Sequence, residues 1–139
     1  MTVNKLAFLA LCAAALPVLA SAETLTLTVD TIATPTGTMK IGLYDQDGYQ
    51  GGAAVSGADI RVEGTSITVM IEGLEPGEYG IKLYHDVDDD GQMDTNPFGI
   101  PTEPYGFSNN AKGRFGPASW DAAKFVIGAE GAVHTISLN

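Results

Sequence analysis

The chain has 139 residues and a formal net charge of −10, with 17 acidic side chains against 7 lysines and arginines. Such a charge repels nucleic acid and anionic lipid, and it attracts divalent cations. The length is that of one domain with a substantial core, and it is too short for two. We therefore expect a single domain that has no nucleic-acid partner.

The first segment has the layout of a secretory signal peptide. Lys5 precedes the apolar run LAFLALCAAALPVLA, and the small residues Ala20-Ser21-Ala22 follow it directly. The run is too short to span a membrane comfortably, and the order of these features predicts cleavage after Ala22. We expect residues 1–22 to be a signal peptide and residues 23–139 to be one domain. The mature chain would be periplasmic or extracellular, with no stable membrane insertion and no cysteine for a disulfide.

Short runs of alternating apolar residues recur along the remaining chain, and helical periodicity is nearly absent. Alternation is typical of strands that bury one face, and glycines and prolines separate the runs as turn signals. The pattern predicts an all-β fold, namely a small antiparallel β-sandwich of about seven strands, prealbumin-like or immunoglobulin-like, with one long ordered loop. The predicted strands cover residues 23–30, 38–45, 60–63, 66–72, 79–85, 124–127 and 132–138.

Three local signals predict how particular segments turn. The Leu-x-Pro-Gly-x-Tyr spacing from Leu74 to Tyr79 indicates a tyrosine corner, in which a phenol hydrogen-bonds back across a turn. Ser119 is a predicted cap for a short helical turn that runs to Ala123. The sequence GAEG at residues 128–131 is predicted to join the last two strands as a hairpin.

The stretch HDVDDDGQMD, residues 85–94, carries the most distinctive chemistry. Its aspartates alternate and then spread around a glycine, so a sharp turn would bring several carboxylates to one point. With Asp86 as position one, the aspartates and the Gln92 carbonyl match positions of an EF-hand-type loop up to position nine. Pro97 stands at position twelve, where that loop needs a bidentate glutamate, and Glu103 is the next carboxylate that could reach back. The predicted calcium ligands are Asp86, Asp88, Asp90, Gln92, Asp94 and Glu103; the alternative is a solvated acidic turn.

The residues from Asp86 to about Asp121 form a long segment without a convincing strand. Half of the aromatic residues after Ala22 lie in it, together with four prolines. Disordered segments are poor in aromatics, and loops of this length inside a compact domain are often functional. The segment is predicted to be ordered, to cover an edge or end of the sandwich, and to offer a surface to a protein or glycan partner.

The sequence HDVDDDGQMDTNPFGIPTEPYGFSNNAKGRFGPASWDAAKF, together with the preceding GLEPGEYGIKLY, resembles the signature of a secreted bacterial family known as domain of unknown function 2141. This resemblance implies an exported small β-sandwich without an assigned activity. It carries over no substrate and no catalytic residue. The Pro-Gly-x-Tyr strand followed by Asp-x-Asp-x-Asp-Gly is also similar to prealbumin-like and carboxypeptidase-regulatory-like domains, which are commonly non-catalytic accessories.

Three functions fit these features. The first is an exported, non-enzymatic binding or accessory domain with a calcium-stabilised acidic loop. The alternative is a metal-dependent hydrolase, in which His85, His134 and loop aspartates would bind zinc and activate water. A third possibility is a carrier of a small apolar ligand inside the sandwich, although aliphatic inward faces are also what an ordinary packed core requires.

Overall fold

The structure, a computed structural model, describes residues 22–138. The predicted signal peptide lies outside this range apart from Ala22, so its cleavage stays a prediction. Within the described residues, no helix has the length and apolar character needed to cross a membrane. The strands are β1 (Glu23–Asp30), β2 (Thr38–Tyr44), β3 (Ser56–Arg61), β4 (Ile67–Leu74), β5 (Gly77–Asp86), β6 (Tyr105–Phe107), β7 (Phe125–Ile127) and β8 (Ala132–Ser137); the four-residue helices are α1 (Gln46–Tyr49) and α2 (Trp120–Ala123).

The strands form two sheets, which confirms the prediction of an all-β sandwich. The first sheet has the order β4-β1-β8, and the second has the order β3-β2-β5-β6. Strand β5 is long enough to hold two partners along the same edge: β6 pairs with its residues 82–84, and β7 pairs with its residues 77–79. Every pair is antiparallel except β1 with β8, which is parallel.

The predicted hairpin at residues 128–131 is wrong. Gly131 N–H donates to the Gly128 carbonyl at 3.1 Å, so the chain does turn there. The strands on either side do not pair, because β7 joins the second sheet and β8 joins the first. Turn residues specify that the chain reverses, whereas burial decides which strand it then meets. The turn carries the chain across the sandwich, and β8 enters beside β1 in the parallel sense.

Aliphatic side chains fill the space between the sheets. In β1, Leu25, Leu27 and Val29 are fully buried and alternate with half-buried threonines, as a strand with one buried face requires. The same alternation in the second sheet supplies the opposite side of the core. The buried members of this core are Leu25, Leu27, Val29, Ile32, Met39, Ile41, Leu43, Val62, Ile71, Leu74, Ile81, Leu83, Ile127, Ile136 and Leu138.

A second, aromatic cluster lies on the outer face of the second sheet. The rings of Tyr49 and Trp120 are 5.5 Å apart at their centroids, and both lie directly over Gly80 of β5. A Cβ atom at Gly80 would come within 2.7 Å of the Tyr49 ring, so glycine is needed there. Ser119 begins α2 by accepting a hydrogen bond from Ala122 N–H at 3.3 Å, as predicted. The long segment is therefore ordered, and it covers much of this face.

Strand β5 places the acidic loop. Tyr79 Oη donates to the Glu75 carbonyl at 2.8 Å, which confirms the tyrosine corner at the start of the strand. From there Ile81, Leu83 and His85 point into the core, while Lys82 and Tyr84 lie on the outer face. The strand ends at Asp86, so the first predicted calcium ligand sits on the last residue of a rigid central element.

Candidate metal centre

The Asp86 carboxylate is buried at the end of β5, with 1% of the residue exposed. Its Oδ1 accepts a hydrogen bond from Asp90 N–H at 3.1 Å, and its Oδ2 accepts one from Gly91 N–H at 2.9 Å. The loop can fold back over Asp86 because Gly91 adopts φ +82°, a region that glycine enters at little cost. Each carboxylate oxygen has a further lone pair. Asp86 therefore keeps capacity for another ligand.

Glu103 reaches the same place from the far side of the long segment and is also buried, with 7% exposed. Its Oε1 accepts from Val87 N–H at 2.8 Å, and its Oε2 accepts from Asp94 N–H at 3.1 Å. These bonds tie both ends of the acidic loop to one side chain 16 residues along from Val87. The structure thus brings Glu103 beside the loop, where the sequence leaves the twelfth EF-hand position without a carboxylate.

Three carboxylates converge here. Asp86, Asp88 and Glu103 each offer an oxygen within 4.8 Å of the other two. Calcium binds oxygen at 2.3–2.6 Å, so two ligands of one ion are at most about 5 Å apart. Within residues 22–138, none of the ion pairs with lysine or arginine includes any of these three carboxylates. Two buried negative charges and a third beside them make a site whose chemistry favours a hard cation.

The other predicted ligands lie around this group and not in it. Asp90 is exposed, and its Oδ1 accepts from Gln92 N–H at 2.8 Å within the turn. Asp94 is half-buried, and its carbonyl accepts from Thr102 N–H at 2.8 Å. Burial raises the pKa of the Asp94 carboxyl, and the nearby charges of Asp88 and Asp90 raise it further. This shift shows that Asp94 shares the negative field of the cluster.

Asp89 positions the loop, although the sequence pattern gave it no role. Its Oδ1 accepts from Thr38 Oγ1 at 2.7 Å, and its Oδ2 pairs with Arg61 Nη1 at 2.5 Å. The hydrogen bond from Thr38 and the neighbouring Arg61 charge lower the pKa of Asp89. Its backbone has φ +59°, a left-handed conformation that aspartate tolerates better than most residues. That conformation directs the Asp89 side chain toward β2 and β3, while the neighbouring Asp88 and Asp90 form hydrogen bonds within the turn.

The two histidines are both held in hydrogen bonds away from the carboxylates. His85 Nε2 lies 2.6 Å from the Thr36 carbonyl, so this nitrogen is the donor. His134 Nε2 accepts from Asn109 N–H at 2.9 Å, and its ring stacks on Phe125 with centroids 4.4 Å apart. Among the described residues, the only cluster with metal-ligand spacing contains neither histidine. A zinc site built on His85 and His134 has no geometric support in this part of the chain.

A comparison with protein families shows which family the chain belongs to. Residues 27–135 match a family described as an uncharacterized protein conserved in bacteria (DUF2141). The chain belongs to this family. The match covers both sheets and the whole long segment, including the acidic loop and Glu103. Comparisons with curated proteins and with solved structures found no match.

Proposed function

We propose that this DUF2141 member is an exported, non-catalytic binding domain whose acidic loop takes one calcium ion. The observation that carries the proposal is the convergence of Asp86, Asp88 and Glu103 within 4.8 Å, two of them buried. Carboxylates taken out of water without a cationic partner are costly, and a bound divalent cation would remove that cost. In this proposal, Asp90, Asp94 and the Gln92 carbonyl complete the oxygen shell, directly or through water.

The ion's role in this proposal is to fix the long segment. Asp86 belongs to β5, Asp88 to the acidic loop, and Glu103 to the chain just before β6. A cation between them would join a central strand to both ends of residues 87–103. Zinc would be a poor substitute, because it prefers nitrogen and sulfur ligands and these donors are all oxygen.

Export is the second part of the proposal, and it rests on the sequence of the first 22 residues. A lysine, an apolar run and a small-residue site occur there in the order that a signal peptidase requires. We expect protein purified from its native host to begin at Glu23, as read by N-terminal sequencing. Material that began at Met1 or at a modified Cys12 would contradict export by this route.

Calcium-dependent thermal unfolding tests the metal site. Extracellular calcium modules bind at roughly 10⁻⁴ to 10⁻³ M. Calcium at about ten times the dissociation constant would add about 1.4 kcal/mol to the free energy of unfolding, which amounts to several degrees in Tm for a domain of this size. The variant Asp88→Asn/Asp90→Asn should lose this shift, since it removes two charges and keeps oxygen acceptors for the turn.

A matched control removes two charges elsewhere. Asp47 and Glu130 are exposed and form no ion pair within the described residues. The variant Asp47→Asn/Glu130→Gln should therefore keep the calcium shift of the unmutated protein. In EDTA, the loop variant should be at least as stable as the unmutated protein, because fewer like charges crowd the turn. If millimolar calcium leaves the Tm of the unmutated protein unchanged, the proposal is wrong.

A further inference from the structure

A groove of about 930 Å³ lies on the outer face of the second sheet, and its lining contains none of the three converging carboxylates. Its floor includes Gly42 of β2 and Gly57 of β3, which pair across the two strands, and the ring of Tyr44 lies over Gly42, within 2.6 Å of where a Cβ atom would stand. The long segment forms the opposite wall with Phe98, Ile100 and Phe115. Sites for drug-sized molecules have volumes of this order and are mostly apolar.

The wall keeps large apolar groups in water. Phe98 is 87% exposed, Ile100 is 59% exposed, and Phe115 is fully exposed. Other aromatic residues of the long segment, such as Phe107 and Trp120, are buried against β5. The long segment therefore buries some of its aromatic side chains against the sheet, whereas Phe98, Ile100 and Phe115 stay exposed and line the groove. An exposed apolar set around a concavity marks a binding site more often than an accident of packing.

Three polar side chains of the groove, those of Lys40, Asp59 and Tyr84, already have partners. Lys40 Nζ lies 2.8 Å from Asp59 Oδ2, and Tyr84 Oη donates to the Gly91 carbonyl at 3.4 Å. A glycan needs several free donors and acceptors along its length, because its hydroxyls must exchange their bonds to water for bonds to protein. The satisfied Lys40–Asp59 pair and the rings of Tyr44 and Phe98 instead suit a ligand with an apolar body.

Lys82 also has a hydrogen-bond partner, but unlike that of Lys40 this partner is a neutral carbonyl and not a carboxylate. Its Nζ donates to the Tyr49 carbonyl at 2.6 Å and lies over two rings, 4.4 Å from the Tyr49 centroid and 5.1 Å from that of Tyr44. The side chain is half-buried, and burial lowers its pKa. Within residues 22–138 it forms no ion pair with a carboxylate, although the protein is strongly acidic. Lys82 lines the groove, and an ammonium has three N–H donors, so one bond to the Tyr49 carbonyl leaves donors for an anionic group.

We propose that this groove binds a small organic anion with an aromatic or aliphatic body, whose anionic group pairs with Lys82. The apolar body lies between the Tyr44 ring, which covers Gly42, and the exposed Phe98. The net charge of the protein opposes anions at long range, but salt screens it beyond about 8 Å at physiological ionic strength. This inference rests on the proposed binding role and deepens it; because Phe98 and Ile100 lie between the loop aspartates and Glu103, its test is run both with and without calcium.

Two dyes that differ by one sulfonate test the proposal. 8-Anilinonaphthalene-1-sulfonate is an apolar anion, and N-phenyl-1-naphthylamine is its neutral counterpart; both fluoresce more strongly in an apolar site. Fluorescence titrations should give a Kd for the anion that rises about tenfold in Lys82→Met, the size expected for one partly buried ion pair. The Kd of the neutral dye should stay within about twofold.

Two further variants separate the groove from other surfaces. Lys112→Met removes an equal charge outside the groove and should leave both Kd values unchanged. Phe98→Ser changes an exposed wall residue without disturbing the core, and it should weaken both dyes. If Lys82→Met affects the anion no more than Lys112→Met does, or if Phe98→Ser affects neither dye, the proposal is overturned.

Each titration is run in EDTA and again in millimolar calcium. Anion binding that depends on Lys82 in both conditions supports the groove, whether or not calcium changes Tm. If calcium raises the Tm but Lys82→Met leaves anion binding unchanged, the groove proposal is overturned and the metal-site proposal is supported. The two proposals can therefore fail separately.

Discussion

Neighbouring aspartates in the acidic loop have different roles, although their side chains are identical. Asp86 is buried and accepts two backbone N–H bonds, Asp88 is exposed beside it, and Asp89 pairs with Thr38 and Arg61. The spacing in the sequence predicted that Asp86 and Asp88 converge. It could not predict the part of Asp89, which depends on a left-handed backbone angle and on partners 51 and 28 residues away.

His134 allows a test of pH dependence at a single residue. Burial lowers its pKa below the ordinary 6.5, so between these two values the unfolded chain binds more protons than the folded chain. The stability that comes from keeping the ring neutral is therefore present above pH 6.5 and is lost as the pH falls toward the folded pKa. A protonated ring also could not accept the Asn109 N–H at 2.9 Å.

The expected result is a larger fall in Tm between pH 7.5 and pH 5.0 for the unmutated protein than for His134→Gln. Glutamine retains an acceptor for Asn109 and does not titrate. Comparing the two proteins at each pH cancels the titrations that they share. Equal pH dependence of the two Tm values would show that His134 is not held neutral by the fold.

The long strands could be predicted from the sequence. Alternating apolar and polar residues indicate a strand with one buried face, whichever element covers that face. The tyrosine corner followed as well, since it is formed by five consecutive residues. Strand β6 was missed because it has only three residues, with Pro104 before it and Gly106 at its centre, and its central residue pairs with Leu83, 23 residues earlier in the chain. The pairing partners of β7 and β8 were missed because a local turn signal does not determine which of the two sheets the next strand joins.

At the scale of the whole molecule, the sandwich uses both faces of its second sheet. One face packs on the aliphatic core, and the other carries the long segment with its aromatic cluster and the groove. The sequence predicted that this segment is ordered, because it is rich in aromatic residues. It could not show that the open concavity lies on the outside of the sheet, since the inward aliphatic faces simply pack against one another. At the end of β5, hydrogen bonds from the acidic loop to Glu103 join the second sheet to the long segment.

The calcium site can be tested by a crystal structure of the mature protein grown in millimolar calcium, with anomalous scattering recorded. We expect one anomalous peak at 2.3–2.6 Å from oxygens of Asp86, Asp88 and Glu103, with further oxygen ligands from the turn or from water. The same crystals soaked in EDTA should lose the peak. A calcium-saturated crystal with no peak between these three carboxylates would contradict the account.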